Sequence, residues 1–503
     1  MILVRVEKWL RLAVVILACL VLGSWILVTV ARIDDSFGTD GPWTGLSLYA
    51  AGGTYYPPLF DGQHFGGTRY MPLQFVLYAA VSKVTGEYFV SAKMVIALIA
   101  AGTLIVVYAT LRRLRCTPLV ALGVTSATLV TAPVLLASTA VRTDSLALLL
   151  QLAAVAAVAR NLSQRSAGIA GVLSALAFLA KLSAVWAPVA ILVCLAARRR
   201  ATVPVFLASY AATIAVGVIA VVVASDGRLL DNLSLVSTGG RPGVHALAID
   251  LPRKFATLMM DYAGGVWLLT PLAVLAFLFA LEQKKFTVHQ VSALAAVLVT
   301  AAVLTDEGAH WNHLLDVTVL LAIVAAELDA SLSSRETSLR PVHLVLLAAL
   351  SIGMGTGYLI HIGPHLGGSL RGIQFGVADQ RFPSPPLASY IRREEAILSE
   401  DASISVARGQ RPVVLDPFML LRILDDRPEW EEALVRRIDA HEFDKVVLLR
   451  PLVPTGHWYT KVHLGRPVAL AIERNYRLDA QADGYSIYVP RGEDRTGVGR
   501  TRR

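Results

Sequence analysis

Asp34, Asp35 and Asp40 follow closely on a long apolar run that ends near Arg32. That spacing puts three carboxylates at the depth of a lipid headgroup. An Asp with its ordinary pKa of about 3.9 is ionised at neutral pH and can take a proton from an attacking hydroxyl as the new bond forms. The chemistry suggested is general-base catalysis at a membrane surface. Helix capping or turn hydrogen bonding is the structural alternative for any one of the three. The same stretch holds Trp43, Tyr49, Tyr55 and Tyr56. Their rings offer faces on which sugars stack, or they form the aromatic belt common at bilayer surfaces.

Other polar residues collect on the same side of the expected spans: the Arg142 and Asp144 pair, Lys181, and the group His310, Asn312, His313 and Asp316, with Arg69 in the loop before the second span. Charged groups are costly inside a bilayer, so those near spans tend to face cavities or partners. Arg69, Arg142 and Lys181 suit a phosphate; Arg142 with Asp144 also reads as a loop ion pair. His310 and His313 are more often interfacial than metal ligands. The cofactor left open is a divalent cation, Mg or Mn, for which the sequence offers no convincing ligand set.

The elements that position these residues are membrane spans. Of 503 residues, 55% are apolar and 17% charged. The apolar residues fall into runs of roughly 18–25 residues, the length that crosses a bilayer. Expected spans lie near 12–30, 88–111, 117–138, 145–159, 166–181, 182–197, 203–224, 263–281, 288–304, 313–327 and 342–362, about eleven in all. Short Lys and Arg clusters alternate with them and place the N-terminus in the cytoplasm and the chain end outside. The net charge of +9 is therefore a matter of orientation and does not suggest nucleic acid.

Two outer loops are expected, at 32–87 and 226–262, within a membrane domain of residues 1–362. Residues 363–490 turn polar and read as an extracytoplasmic α/β domain. Its strand signals are Pro412 to Asp416, Lys445 to Leu449 and Tyr485 to Val489, with a helical stretch from Pro417 to His441. Residues 491–503 read as a disordered basic tail. Cys19, Cys116 and Cys194 have neither metal nor disulfide spacing. There is no Gly-rich nucleotide loop, and the cytoplasmic connections are too short for a nucleotide-binding domain. An enzyme working outside then needs an activated donor already in the membrane, and a sugar on a polyprenyl phosphate meets that need.

At these residues the chain resembles the GT-C class of membrane glycosyltransferases, which includes protein O-mannosyltransferases and lipid A aminoarabinose transferases. The resemblance rests on Asp40 in the first outer loop, on Tyr49 to Pro58, and on Tyr70 to Leu73 before the second span. Arg142-Thr143-Asp144, Leu179-Ala180-Lys181 and Asn312-His313-Leu314-Leu315-Asp316 follow in the order of that class. The usual Asp-Glu pair is not reproduced at Asp40, which precedes Gly41, while Asp34 and Asp35 form an acidic pair nearer the membrane.

The resemblance implies a mainly α polytopic bundle with a small C-terminal α/β domain, acting as a polyprenyl-phosphate-sugar-dependent glycosyltransferase. The acceptor would be an envelope glycan, lipid or protein. Asp40 is the first candidate for the base and Asp35 the second, with Arg69, Arg142 and Lys181 on the donor phosphate. Tyr49, Tyr55, Tyr56, Tyr70, Asp144, His310, Asn312 and His313 are expected around the substrates. Two other classes compete: a transporter or flippase for a lipid-linked glycan, and a polymer-binding C-terminal module on a membrane anchor. The absence of a sequence repeat counts against the first.

Overall fold

The computed structural model describes residues 2–32, 40–234, 249–305, 309–333, 340–364, 366 and 385–492. Asp34, Asp35 and most of the expected basic tail lie outside the described residues.

Each expected span is mainly helical, the one at 117–138 as two helices and not one. In chain order these are α1 (Ile2–Ala31), then, beyond two shorter helices α2 (Gly41–Ala51) and α3 (Pro72–Thr85), α4 (Phe89–Arg113), α5 (Pro118–Leu129), α6 (Ala132–Thr139) and α7 (Asp144–Arg160). Next come α8 (Gln164–Ala180), α9 (Trp186–Arg198), α10 (Val203–Ala224), α11 (Arg228–Ser234) and α12 (Leu251–Tyr262). The bundle closes with α13 (Thr270–Glu282), α14 (Val288–Val303), α15 (Leu315–Ser333) and α16 (Arg340–Gly357).

Among the described residues, five helical segments are long and apolar enough to cross a membrane alone. The segment read as one span at 117–138 is broken into α5 and α6, which meet at 76°. Thr131 accepts the Val134 N–H and Pro133 follows, so a new helix starts there instead of the old one continuing. The shorter apolar α8, α9 and α14 bury small residues such as Ala170, Ala190 and Ala296 on one face and expose Ile169, Val193 and Leu298 on the other. The lipid requirement is plainest at α10. It is apolar throughout, buries only Phe206, and leaves Val216, Ile219 and Val223 at least 61% exposed. Such a surface is stable against hydrocarbon and not against water. The chain is a multi-pass membrane protein.

The segment expected as the first outer loop holds more order than its turn-forming residues suggest. Pro42 and Pro72 sit in the first turns of α2 and α3, where a missing N–H is no loss, so these prolines start helices.

The C-terminal domain is a four-stranded mixed sheet in the order β1-β2-β4-β3, built from β1 (Ile397–Ser399), β2 (Lys445–Leu448), β3 (Tyr476–Ala482) and β4 (Tyr485–Pro490). β1 and β2 are parallel; the other pairs are antiparallel. The second and third strand signals are β2 and β4, and the helical stretch divides at Pro428 into Pro417–Asp426 and Pro428–Asp439. The signal at Pro412 to Asp416 is not a sheet strand. Its backbone pairs instead with the first outer loop: Phe65 N–H donates to Val413 O at 2.7 Å, and Leu415 N–H to Phe65 O at 2.9 Å.

A second contact joins the same two regions. α2 packs on the helix Ala402–Ala407, with Thr44 and Ser403 hydroxyls 3.4 Å apart. A Cβ on Gly41 would stand 2.7 Å from Ala402 N, and one on Gly45 would stand 2.5 Å from a Leu415 methyl. At Gly41, where the neighbour is backbone, only glycine permits that approach. The C-terminal domain is thereby seated on the first outer loop.

Candidate active site

The cavity at the junction of this loop and the bundle has a volume of about 260 Å³. Trp43 from α2 and the segment Arg69 to Met71 before α3 form one wall. Arg142, Thr143 and Asp144, at the start of α7, face Lys181, which ends α8. Val303, closing α14, and Asn312 with His313, leading into α15, complete the lining.

Asp144 organises the cations. Its Oδ2 accepts from Arg142 Nε at 2.9 Å and its Oδ1 from Lys181 Nζ at 2.5 Å. Lys181, 37 positions from Asp144, is thus held beside Arg142 by a carboxylate that is 5% exposed. Thr143 adds a bond to Ala180 O at 2.6 Å, which locks the two helix ends together. Arg69 approaches from the opposite wall with its guanidinium 4.4 Å from the Phe418 ring centre, so the C-terminal domain fixes its direction. Among the described residues the lining carries three cations against one carboxylate. An anion entering here finds the excess positive charge already oriented.

Asp40 lies behind this lining. Its carboxylate is fully buried, accepting the Val141 N–H at 2.7 Å and pairing with Lys93 Nζ at 2.9 Å. Lys93 also donates to Thr139 O at 2.7 Å. Although Asp40 stands at the N-terminus of α2, it does not cap that helix through its side chain. Lys93 was not among the expected site residues. The available signal was a single Lys inside the apolar α4, where a charge needs a buried partner.

Of the expected substrate-contacting residues, Tyr70, Asp144, Asn312 and His313 share the cavity, as do the three expected phosphate ligands. Tyr49, Tyr55 and Tyr56 do not line it. Tyr56 is core: it is fully buried and donates to Tyr70 O at 2.7 Å, which shapes the segment carrying Arg69. Tyr49 lies under Arg411, whose guanidinium is 5.4 Å from its ring centre, and burial pushes its phenol up to about 12. Tyr55 packs among the apolar residues around α2 and α3. His310 is outside the lining, edge-on to Tyr262 at 5.8 Å; burial, then Lys254, lowers its pKa. Trp43 and Tyr70 form an aromatic pair at 4.1 Å on the wall opposite Asp144.

Among the described residues no three His, Cys, Asp or Glu side chains converge as metal ligands. Among the described residues the cavity offers cations and one carboxylate already held by two of them, a donor set that does not suit Mg or Mn.

No protein-family model matches the sequence, and none of the curated proteins matches it. Solved structures do. ArnT from Cupriavidus metallidurans in the apo state superposes with a TM-score of 0.53 at 12% identity, covering 94% of this chain and 97% of ArnT. The same protein bound to undecaprenyl phosphate gives 0.51 at 13% identity over 94% and 97%. The oligosaccharyltransferase of Archaeoglobus fulgidus, apo form, gives 0.54 at 13% identity, covering 97% of this chain and 75% of that one. Over most of its length the chain has the fold of the GT-C membrane glycosyltransferases.

Proposed function

We propose that the chain transfers a sugar from a polyprenyl-phosphate donor to a hydroxyl of an extracytoplasmic acceptor, an envelope glycan, lipid or protein. The observation that carries this reading is the cavity in which Arg69, Arg142 and Lys181 face one small volume with Asp144 between two of them. Its place in a fold shared with a protein that binds undecaprenyl phosphate supports it.

The donor phosphate sits among the three cations. The acceptor oxygen attacks the anomeric carbon, the bond from that carbon to the phosphate oxygen breaks, and the lipid phosphate leaves with both electrons. The cations stabilise the charge that grows on the leaving oxygens and need no reorganisation to do so. Trp43 and Tyr70 supply the ring surface for the sugar.

The acceptor proton passes to an Asp, with Asp40 the first candidate and Asp35 the second. Asp40 shares α2 with Trp43 and is bonded to the residue before Arg142. Because it is fully buried, acceptor binding must shift the start of α2 before the carboxylate can meet a hydroxyl. The outer loops and the C-terminal domain lie on the extracytoplasmic side in this reading, with the N-terminus in the cytoplasm.

The test is transfer by reconstituted protein from a polyprenyl-phosphate sugar, comparing Asp34→Asn, Asp35→Asn and Asp40→Asn. Loss confined to Asp40→Asn supports the first assignment, and loss confined to Asp35→Asn the second. Undiminished transfer in all three sinks the base mechanism.

A further inference from the structure

A second and larger cavity, of about 1300 Å³, lies at the other end of the helices that build the first. Asp144 opens α7 beside the first cavity, and Ala156 to Arg160 close it beside the second. α14 likewise brings Val303 to one and Val288 to the other, and the α15 region brings His313 to one and Ser331 to the other. The 17 residues of α7 separate the two by about 25 Å. The proposed transfer makes no use of this chamber.

Among the described residues Arg113, Arg160, Arg198, Arg199 and Lys285 line it, against Glu327 as the one lining carboxylate. Among the described residues none of the five cations forms an ion pair, and Arg198 donates to Phe286 O. Basic residues gather at cytoplasmic helix ends in any case. Convergence on one chamber is a further fact, since Arg115, Arg165 and Arg200 belong to the same clusters and do not line it.

The interior supplies an independent observation. His289 is 4% exposed, lines the chamber, and has no hydrogen bond at either ring nitrogen. Its nearest acidic atom is Glu327 Oε1 at 3.5 Å, while the other Glu327 oxygen accepts from Thr287 Oγ1 at 2.8 Å. Buried polar atoms are nearly always bonded, so an idle imidazole marks the place of a missing polar group. Val158, Phe279 and Leu328 give the walls an apolar character that a water-soluble anion would not use.

We propose that this chamber binds a phosphate ester carried on a membrane lipid. The phosphate lies among Arg198, Arg199 and Lys285, a polar headgroup atom meets His289, and the chain runs along the apolar wall. Glu327 sets a limit on headgroup charge, and its bond to Thr287 turns one oxygen away from the ligand.

The test uses full-length protein in phosphatidylcholine nanodiscs, titrated with a fluorescent phosphatidic acid and competed with inorganic phosphate. Binding should saturate. Arg198→Gln, Arg199→Gln and Lys285→Gln together should weaken it by about tenfold or more. Arg115→Gln, Arg165→Gln and Arg200→Gln together should leave it within about twofold. His289→Phe, which removes no lining cation, should weaken it by about fivefold. Because a buried variant can misfold, the exposed triple variant is the deciding one. Equal weakening by the two triple variants, or binding that never saturates, overturns the proposal in favour of diffuse surface attraction. Displacement by inorganic phosphate at the lipid's own concentration overturns the lipid assignment and leaves a soluble phosphate ester; resistance to it supports the lipid.

Discussion

Asp40 and Val141 stand 101 residues apart, and the carboxylate of the first accepts the backbone N–H of the second at 2.7 Å. The bond ties the start of α2 to the turn that presents Arg142. Because the other carboxylate oxygen meets Lys93, one buried side chain joins the outer loop, α4 and the mouth of α7.

Asp40→Asn leaves a buried Lys93 without its carboxylate, a change that typically costs about 3–5 kcal/mol. The expected result is a lower melting temperature in detergent together with lost transfer. Replacing both partners, Asp40→Leu with Lys93→Met, should recover most of the stability and none of the transfer. Recovery of transfer in the double variant would show that the pair is only structural.

Arg142→Gln and Lys181→Gln each remove a cation from the phosphate site. Loss of one oriented electrostatic group typically lowers kcat by about 100- to 1000-fold. Combining the two should cost less than the product of the single effects, because both act through Asp144. Steady-state kinetics on the reconstituted protein would check this.

Much of this site is legible in the sequence because several of its charged residues sit where an apolar run begins or ends. Arg142, Asp144, Lys181 and His313 stand out for that reason, and helix geometry then delivers them to one face. Tyr49 and Tyr56 mislead because an aromatic next to Gly and Pro reads equally as a sugar platform or as the core of a folded loop. Their neighbours in space, Arg411 and Tyr70, decide between the two. The segment at Pro412 to Asp416 has the composition of a strand and does pair its backbone. Its partner is Phe65, which no local pattern announces. The bend between α5 and α6 was equally hidden, since hydropathy is blind to a change of direction.

Gly41→Ala should separate the C-terminal domain from the first outer loop. The added Cβ meets Ala402 backbone, which cannot rotate away, whereas Gly45→Ala meets the flexible end of Leu415. Overpacking of this kind costs about 1–3 kcal/mol, with Gly41→Ala toward the upper end. Limited proteolysis of the C-terminal domain should accelerate in Gly41→Ala and change less in Gly45→Ala.

Alkaline stability offers a test of the buried phenol at Tyr49. Its pKa in the fold is about 12, against about 10 for a free tyrosine. The favourable contribution of the protonated form is complete below pH about 10 and is lost as the pH rises through about 12. A shift of that size corresponds to about 2–3 kcal/mol. Tyr49→Phe should therefore lose less stability than the parent protein across that window, measured as chemical unfolding at stepped pH.

The seating of the C-terminal domain on the first outer loop has a consequence for biosynthesis. Thr44 emerges early and must wait for Ser403, 359 residues later. At ordinary rates of translation that interval is on the order of tens of seconds. For that time α2 lacks the surface its glycines are shaped to meet, and Arg69 lacks Phe418. Arg69 in the cation-lined cavity thus gains its aromatic partner only when the C-terminal domain has been delivered, so a chain stalled before that point would carry its membrane helices with this cation not yet fixed.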